Sequence, residues 1–484
     1  MSLILSTDSY KLTHWKFYPK NTQYIHSYFE CRKGGLYEKT VFYGLQIYLN
    51  ILSRLVKEFH TNPKAYIQEA EDFCNLHFGN KEVFNKEGWR KLAQLGELHG
   101  ADYLPIKIKA VKEGSLVKEG NVLFTIENTN PDFYWLTNHL ETLLMKIWSP
   151  ITIATNSYYL KDLIKHHLKL SGQDENLADF MMHDFGYRGV SSEETAGILG
   201  SAHLTSFKGS DTIAGIITGL DEYSFSSTKM QVLSPDEMLA YSVPATEHSI
   251  ATAFGENEKE YLLTCMNAYP EGIISVVIDS YDALGFVDMV CNDQEIREKV
   301  LSRKGKLVLR PDSGDPVQVT STIVEKLWNA YGGIYTSTNH KQLIPQIGIL
   351  QGDGIDFMTT SDILNTFRSK GYAAGNIVFG SGGGLLQKFN RDTQRCAIKA
   401  SYAIIDGKEV NLVKNPSTDQ SKASKKGKLK LIKGAFNEYS TISSFGMDAN
   451  LFNGYSDELE LVYADGKIVR QQSFDEIRER LSSF

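Results

Sequence analysis

The chain has 484 residues, 42% hydrophobic and 23% charged, which is length for two to four domains and enough apolar residues for sizeable cores. A net charge of −7 argues against a protein built chiefly to neutralise nucleic-acid phosphates. Five dispersed cysteines without a CxxC pair argue against a disulfide framework and a thiolate zinc site; the apolar run at 3–5 is too short for a signal-peptide core, and no run approaches membrane-spanning length. These features predict a cytoplasmic protein with reduced thiols, no nucleic-acid partner and no membrane partner.

Residues 1–150 read as a mixed α/β domain. Apolar residues recur at helical spacing over 41–59, segments 106–111 and 122–127 alternate as strands, and Gly114 and Gly120 mark turns between them. Segment 131–148 returns to a helical pattern that Pro150 is expected to end, and the β-branched run 151–154 opens a repeating series. In that series each apolar segment runs into a polar or glycine-rich loop. The loops carry His183-Asp184-Phe185-Gly186-Tyr187-Arg188, Gly209-Ser210-Asp211, Glu247-His248, Asp279-Ser280, Arg310-Pro311-Asp312-Ser313-Gly314, Gln351-Gly352-Asp353-Gly354 and Gly380-Ser381-Gly382-Gly383-Gly384. Their anchors at 183, 211, 248, 279, 312, 353 and 382 are spaced by 28, 37, 31, 33, 41 and 29 residues, the length of one strand plus one helix. An α/β barrel places functional residues where strands end and βα loops begin, and it is favoured here over an open doubly wound sheet, which gives similar spacings. Ser191 with Glu194 predicts a capping box. Beyond 392, a strand is expected over 399–405, a mobile basic loop over 414–433 and a hairpin about Asp465-Gly466. A final helix capped by Ser473 and Glu476 follows. Segment 400–484 is expected to rejoin the first domain, leaving 151–399 as the barrel.

The strand 377–379 feeding Gly380–Gly384 and a helix start is a phosphate cradle in outline, with Lys388 and Arg391 as nearby cations; a flexible glycine loop is the plainer alternative. Neither GxGxxG nor GxxxxGK[ST] is present, so a phosphosugar suits the loops better than a whole dinucleotide. Asp279, Asp312 and Asp353 suit ribose hydroxyls and Mg²⁺. His248 is a candidate acid, base or phosphoryl acceptor with Asp279 to orient it, although a lone histidine is more often structural. Asp211 reads equally as a helix N-cap.

The segments 7–14 (ThrAspSerTyrLysLeuThrHis), 183–192, 242–249, 310–314, 351–354 and 380–388, in that order, resemble the nicotinamide phosphoribosyltransferases over essentially the whole chain. The resemblance implies a type II phosphoribosyltransferase fold, an atypical α/β barrel beside a mixed α/β domain. It implies transfer of the phosphoribosyl group from 5-phosphoribosyl-1-diphosphate to nicotinamide, with Mg²⁺ and with ATP hydrolysis through phosphorylated His248, in a homodimer with shared active sites. It further implies Phe185, and Tyr10 from a second subunit, against the pyridine ring. Asp211 and Arg310 would face the carboxamide, and Gly352, Asp353, Gly382 and Gly383 would cradle the ribose phosphate. Arg188, Arg32, Arg391, Lys399 and Lys414 would meet phosphates, and Lys422 and Ser424 would lie in the loop around them. Asp312 would meet the ribose, and Asp279 would partner His248; both are candidate Mg²⁺ ligands. Two departures stand out: a short connection between Arg32 and Val41, and Gly348 where animal members carry a basic residue. The competing functions are a nicotinate phosphoribosyltransferase, which Asp211 opposes, and a non-catalytic sensor of phosphoribosyl ligands.

Overall fold

Alternating short apolar strands and capped helices between residues 182 and 381 build a parallel sheet. Its strands are β1 (Met182–Asp184), β2 (Gly209–Ser210), β3 (Glu271–Val277), β4 (Lys304–Arg310), β5 (Ile347–Gln351) and β6 (Ile377–Ser381). The order across the sheet is β2-β1-β6-β5-β4-β3, and every neighbouring pair is parallel. Such pairs need crossovers, and helices supply them: Glu193–His203, Ala283–Asn292 with Gln294–Leu301, Pro316–Tyr331 and Phe357–Ser369. Asp315 and Asp356 cap two of these helices by accepting the N–H groups of Gln318 (2.8 Å) and Thr359 (3.0 Å). The computed structural model describes residues 2–224, 237–414, 424–434, 438–443 and 455–484.

The sheet does not end at its edge strands. Tyr241 bridges Gly209 on β2, and Ala245 bridges Ser275 on β3, both in parallel sense. The amide of Ser275 donates to the Pro244 carbonyl (2.9 Å), and Thr246 donates to Ser275 (3.0 Å). Pro244 has no N–H to offer, so this segment closes the ring without becoming a strand. The result is an atypical barrel of six strands and one irregular stave.

The chain divides into two units, Met1–Thr155 with Glu222–Phe225 and Phe389–Phe484, and Asn156–Asp221 with Ser226–Lys388. The barrel strands lie in the second. The first carries a seven-stranded antiparallel sheet: Lys408–Asn411, Cys396–Ile405, Thr22–Cys31, Val122–Asn128, Ile106–Ala110, Glu460–Ala464 and Lys467–Ile468, in that order across the sheet. Segment 106–110 alternates buried and half-buried residues, as its apolar–lysine alternation requires. Asp465 and Gly466 both take positive φ (48° and 95°), the signature of a tight hairpin turn. Ser473 and Glu476 form the expected reciprocal capping box.

Four expectations are corrected. Residues 151–154 are helical, inside the 23-residue helix Trp148–Leu170. Pro150 sits in its first turn, where a missing N–H costs nothing, and Thr152 and Thr155 return their hydroxyls to the carbonyls of Trp148 and Ile151 (2.6 and 2.7 Å). The cap of helix Glu193–His203 is Ser192, not Ser191. Segment 41–59 begins with the strand Lys39–Val41, and its helix starts only at Leu45 after Gly44 at φ 99°. Within the expected basic loop, Leu429–Lys433 is a strand paired with Tyr439–Ser443. No helix among the described residues is long and apolar enough to cross a membrane.

Candidate active site

The loops following β1, β2, β3, β4, β5 and β6 carry Phe185, Asp211, Asp279, Asp312, Gly352 and Gly382. All six are at the carboxyl ends of the strands, the face on which parallel barrels assemble their chemistry. A cavity of about 950 Å³ runs within this unit, with Phe185, Arg188, Asp211 and Arg310 in its wall beside Val308, Leu350 and Val378.

Phe185 owes its place to a glycine. A Cβ on Gly380 would fall 2.0 Å from the Phe185 ring, so the ring can only lie against β6 because residue 380 has no side chain. Gly209 does the same for His183, whose ring lies 2.8 Å from the place of the absent Cβ. Asp184, fully buried between them, accepts the Gly186 amide (2.7 Å), and its carbonyl accepts the Asp211 amide (2.9 Å). It therefore ties the Phe185 turn to the Asp211 loop. Burial pushes the Asp184 carboxyl up to about 7, with the Gly186 amide opposing. Asp211 is exposed, and the Ser242 hydroxyl donates to one of its oxygens. Ser210 Oγ accepts the amide of Thr212 (3.0 Å), the residue before the helix Ile213–Tyr223.

A second group of residues surrounds Asp279. His248 Nε2 lies 3.1 Å from Asp279 Oδ1. The other carboxylate oxygen accepts the Asp312 amide (3.0 Å) and the Ser313 hydroxyl (2.5 Å). The histidine side chain is 47% exposed and the aspartate 4%, so a fixed acid holds an accessible imidazole. Arg310 donates to the Thr246 carbonyl (2.8 Å) and pairs with Asp312 (3.4 Å). Gly352 faces the same pair: a Cβ there would sit 3.2 Å from Asp312 Oδ1 and 3.7 Å from Arg310 Cδ. Asp353 is exposed in the next position. Gly382 and Gly383 approach the backbone of Phe185 and Gly189, with 3.4 and 3.7 Å to spare for a Cβ. The helix after them is only four residues, Gly383–Leu386. Lys388 is engaged by Asp356 (2.6 Å).

The remaining predicted residues lie in the antiparallel unit. Arg32 donates to the Arg395 carbonyl (3.3 Å), and Arg391 pairs with Asp392 (3.9 Å). Lys399 is held below the ordinary lysine range by burial, and then by the charge of Arg32. Lys414 and Ser424 exchange backbone and hydroxyl hydrogen bonds (2.8 and 2.9 Å). Tyr10 is 56% exposed in a 3₁₀ helix, edge-on to His14. Lys422 lies outside the described residues.

Sequence reading passed over Ser242, Thr246, Ser313 and Asp184, which the structure ties to Asp211, Arg310, Asp279 and the Phe185 turn. Each stands within a motif already singled out, one to three residues from its partner's loop or in the adjacent one. Position within a motif was the only available signal, because none of these residue types is diagnostic alone.

Comparison with known proteins covers nearly the whole chain. Residues 180–462 match the nicotinate phosphoribosyltransferase (NAPRTase) family model, and residues 2–108 match the nicotinamide phosphoribosyltransferase N-terminal domain. The chain is 35% identical to a nicotinamide phosphoribosyltransferase of Xanthomonas campestris over 481 residues, covering 99% of this chain and 97% of that protein. It is 30% identical to one of Acinetobacter baylyi, covering 98% and 96%. Among solved structures, nicotinate-nucleotide pyrophosphorylase from Pyrococcus furiosus superposes with a TM-score of 0.58 at 13% identity (99% and 95% covered). Human nicotinic acid phosphoribosyltransferase superposes with 0.52 at 14% (99% and 93%), so both share the type II phosphoribosyltransferase fold. With full-length identity above 30% and both family models matched, the chain belongs to the nicotinamide phosphoribosyltransferase family.

Proposed function

We propose that the chain transfers the 5-phosphoribosyl group of 5-phosphoribosyl-1-diphosphate to nicotinamide, yielding nicotinamide mononucleotide and diphosphate for NAD salvage. The observation that carries this reading is Asp211, an exposed carboxylate in the wall of the cavity that Phe185 also lines. A carboxylate accepts the N–H of a carboxamide and repels the carboxylate of nicotinate. Phe185 offers a flat face for the pyridine ring, which orients it without demanding ring substituents. The reading includes a homodimer, with Tyr10 of the partner subunit closing the ring stack.

Breaking the C1–O bond of the donor builds positive charge on the ribose and negative charge on the departing diphosphate. Arg188 meets the negative charge, and Asp312 and Asp353 hold the ribose as its positive charge grows. With the ring held in line, the pyridine nitrogen needs only a short approach to C1. Mg²⁺ would be held by Asp279 and Asp312, and when bound it supplies charge neutralisation at the diphosphate oxygens. Those two residues are hard oxygen donors on adjacent strand ends, and no group of three metal-ligating side chains exists among the described residues. That donor set fits an ion that takes most of its shell from phosphate and water.

The His248–Asp279 pair supports coupling to ATP. With Nε2–H donated to Asp279, the free lone pair sits on Nδ1, leaving an accessible nucleophile for phosphoryl transfer. Phosphorylated His248 would place negative charge beside the diphosphate site and favour release. The test is product formation from the diphosphate donor and Mg²⁺ with nicotinamide or nicotinate, each with and without ATP. Nicotinamide mononucleotide alone, raised by ATP and no longer raised in His248→Ala, is expected. Nicotinate mononucleotide as the main product would overturn the role of Asp211, and ATP stimulation surviving His248→Ala would overturn that of His248.

A further inference from the structure

We propose that Cys31 and Cys396 are a reversible modification site, a dithiol that a hydroperoxide converts to a disulfide stapling the amino-terminal and carboxyl-terminal segments of the antiparallel unit. The two residues are register partners on the strands Thr22–Cys31 and Cys396–Ile405, and their Sγ atoms face each other at 3.2 Å. The Cys31 carbonyl accepts the Gly120 amide (2.6 Å), and the Cys396 amide donates to the Arg391 carbonyl (3.2 Å), so these backbone groups turn away from the opposite cysteine. A non-hydrogen-bonded antiparallel pair holds its Cα atoms about 4.5 Å apart, within the span of about 4.4–6.8 Å that a disulfide bridges. The bond therefore needs side-chain rotation and no change of register.

Position in the chain gives that bond its consequence. The antiparallel unit is assembled from Met1–Thr155, Glu222–Phe225 and Phe389–Phe484. Cys31 belongs to the first of these segments and Cys396 to the last, 365 residues later, and all six barrel strands lie between them in sequence. A crosslink closes one ring through the whole barrel sequence, and the entropy it removes from the unfolded chain grows with ring size.

The surroundings set when the bond forms. Both side chains are buried; burial, then the neighbouring sulfur, pushes the Cys396 thiol up, with Arg391 and Arg32 opposing. A buried, protonated thiol is a slow nucleophile, so the pair rests reduced until a strong two-electron oxidant arrives. One sulfur then takes an oxygen from the peroxide as S–OH and releases water. The second sulfur, already in contact, displaces that oxygen as a second water and closes the S–S bond before further oxidation. The two sulfurs together lose two electrons and the peroxide O–O bond gains them.

The experiment titrates the full chain with hydrogen peroxide until Cys265, a half-buried thiol in another element, is modified. Free thiols are then alkylated and the chain is digested without reductant. The expected product is a linked peptide pair containing Cys31 and Cys396, released by dithiothreitol. The crosslinked chain should run faster than the reduced one on a denaturing gel without reductant, and its thermal midpoint should rise by about 5 °C or more. Cys31→Ser and Cys396→Ser should each abolish all three changes, and Cys265→Ser should leave them. Both thiols still alkylated at that dose, or sulfinic acid at either position without the linked peptide, would overturn the modification site. A linked chain that unfolds no higher than the reduced one would overturn the staple.

Discussion

Two histidine–carboxylate pairs in this molecule have the same separation and opposite surroundings. In the barrel unit, His248 and Asp279 stand 3.1 Å apart with the imidazole 47% exposed. In the antiparallel unit, His26 and Glu127 also stand 3.1 Å apart, but the imidazole is 4% exposed. Glu127 also takes the Tyr24 hydroxyl and pairs with Lys107. Burial would raise the Glu127 carboxyl, yet hydrogen bonds from His26, Lys107 and Tyr24 overcome it and pull the group down to about 2. The difference teaches that distance does not distinguish a chemical pair from a structural one. Among the described residues both carboxylates take three protein donors; where the imidazole is itself buried the pair is spent on stability, and where the imidazole is exposed a ring nitrogen stays open to a reactant.

The sharpest way to break this contrast is to neutralise each acid and read both activity and stability. Asp279→Ala is expected to lower ATP-stimulated product formation by about 10²–10³-fold, the scale of losing a positioned acid–base partner, with little change in melting temperature. Turnover that stays within a fewfold would mean that Asp279 does not orient His248. Glu127→Gln should do the reverse, costing stability while activity per folded molecule holds. A shift from 4.5 to about 2 corresponds to about 3 kcal/mol at about 1.4 kcal/mol per pKa unit. Because the folded value is depressed, that stability is present above pH 4.5 and drains away as pH falls toward 2. Acid titration of unfolding should show wild type losing its advantage over Glu127→Gln in that window; a constant gap across it would refute the role given to Glu127.

The periodicity of strand-loop anchors was legible because each barrel strand is short, apolar and followed by a loop that must be polar, so the spacing carried the fold. The closing stave was not: Tyr241 and Ala245 complete the ring through single bridges, a pattern that hydrophobic alternation cannot encode. The helix Trp148–Leu170 was hidden because threonines that look β-branched in sequence satisfy their hydroxyls inside a helix. Contacts across long sequence separation were equally silent. Cys31 and Cys396 face each other at 3.2 Å on paired strands although nothing in their spacing relates them. The site residues of the loops were legible as motifs, whereas their partners became visible only through hydrogen bonds.

A smaller effect tests whether the barrel loops are positioned by backbone rather than by side chains. Gly380→Ala puts a methyl group 2.0 Å from the ring of Phe185, so the ring must leave β6. The expected result is a rise of about tenfold in KM for the acceptor with kcat less affected, because a displaced stacking face loses binding common to ground and transition states. An unchanged KM would mean that the ring does not meet the acceptor.

A last effect, of the same order, concerns an acid with fewer donors than Glu127. Among the described residues Asp211 takes one side-chain donor, Ser242, against the three on Glu127, so its other acceptor positions remain for a ligand. Replacing it with serine keeps a hydrogen-bonding group and removes the charge. The carboxamide loses one charge-assisted bond, and nicotinate loses a repulsion, so the two changes add in the ratio of their kcat/KM values. A shift of about tenfold toward nicotinate, roughly 1.4 kcal/mol, is expected from Asp211→Ser. Asp211→Asn separates the two contributions, since it also removes the charge but offers an amide that donates as well as accepts. If both variants shift the ratio equally, repulsion sets the preference; if serine alone shifts it, hydrogen-bond geometry does. A ratio unchanged in both would place Asp211 away from the ring substituent and return the preference to the shape of the cavity.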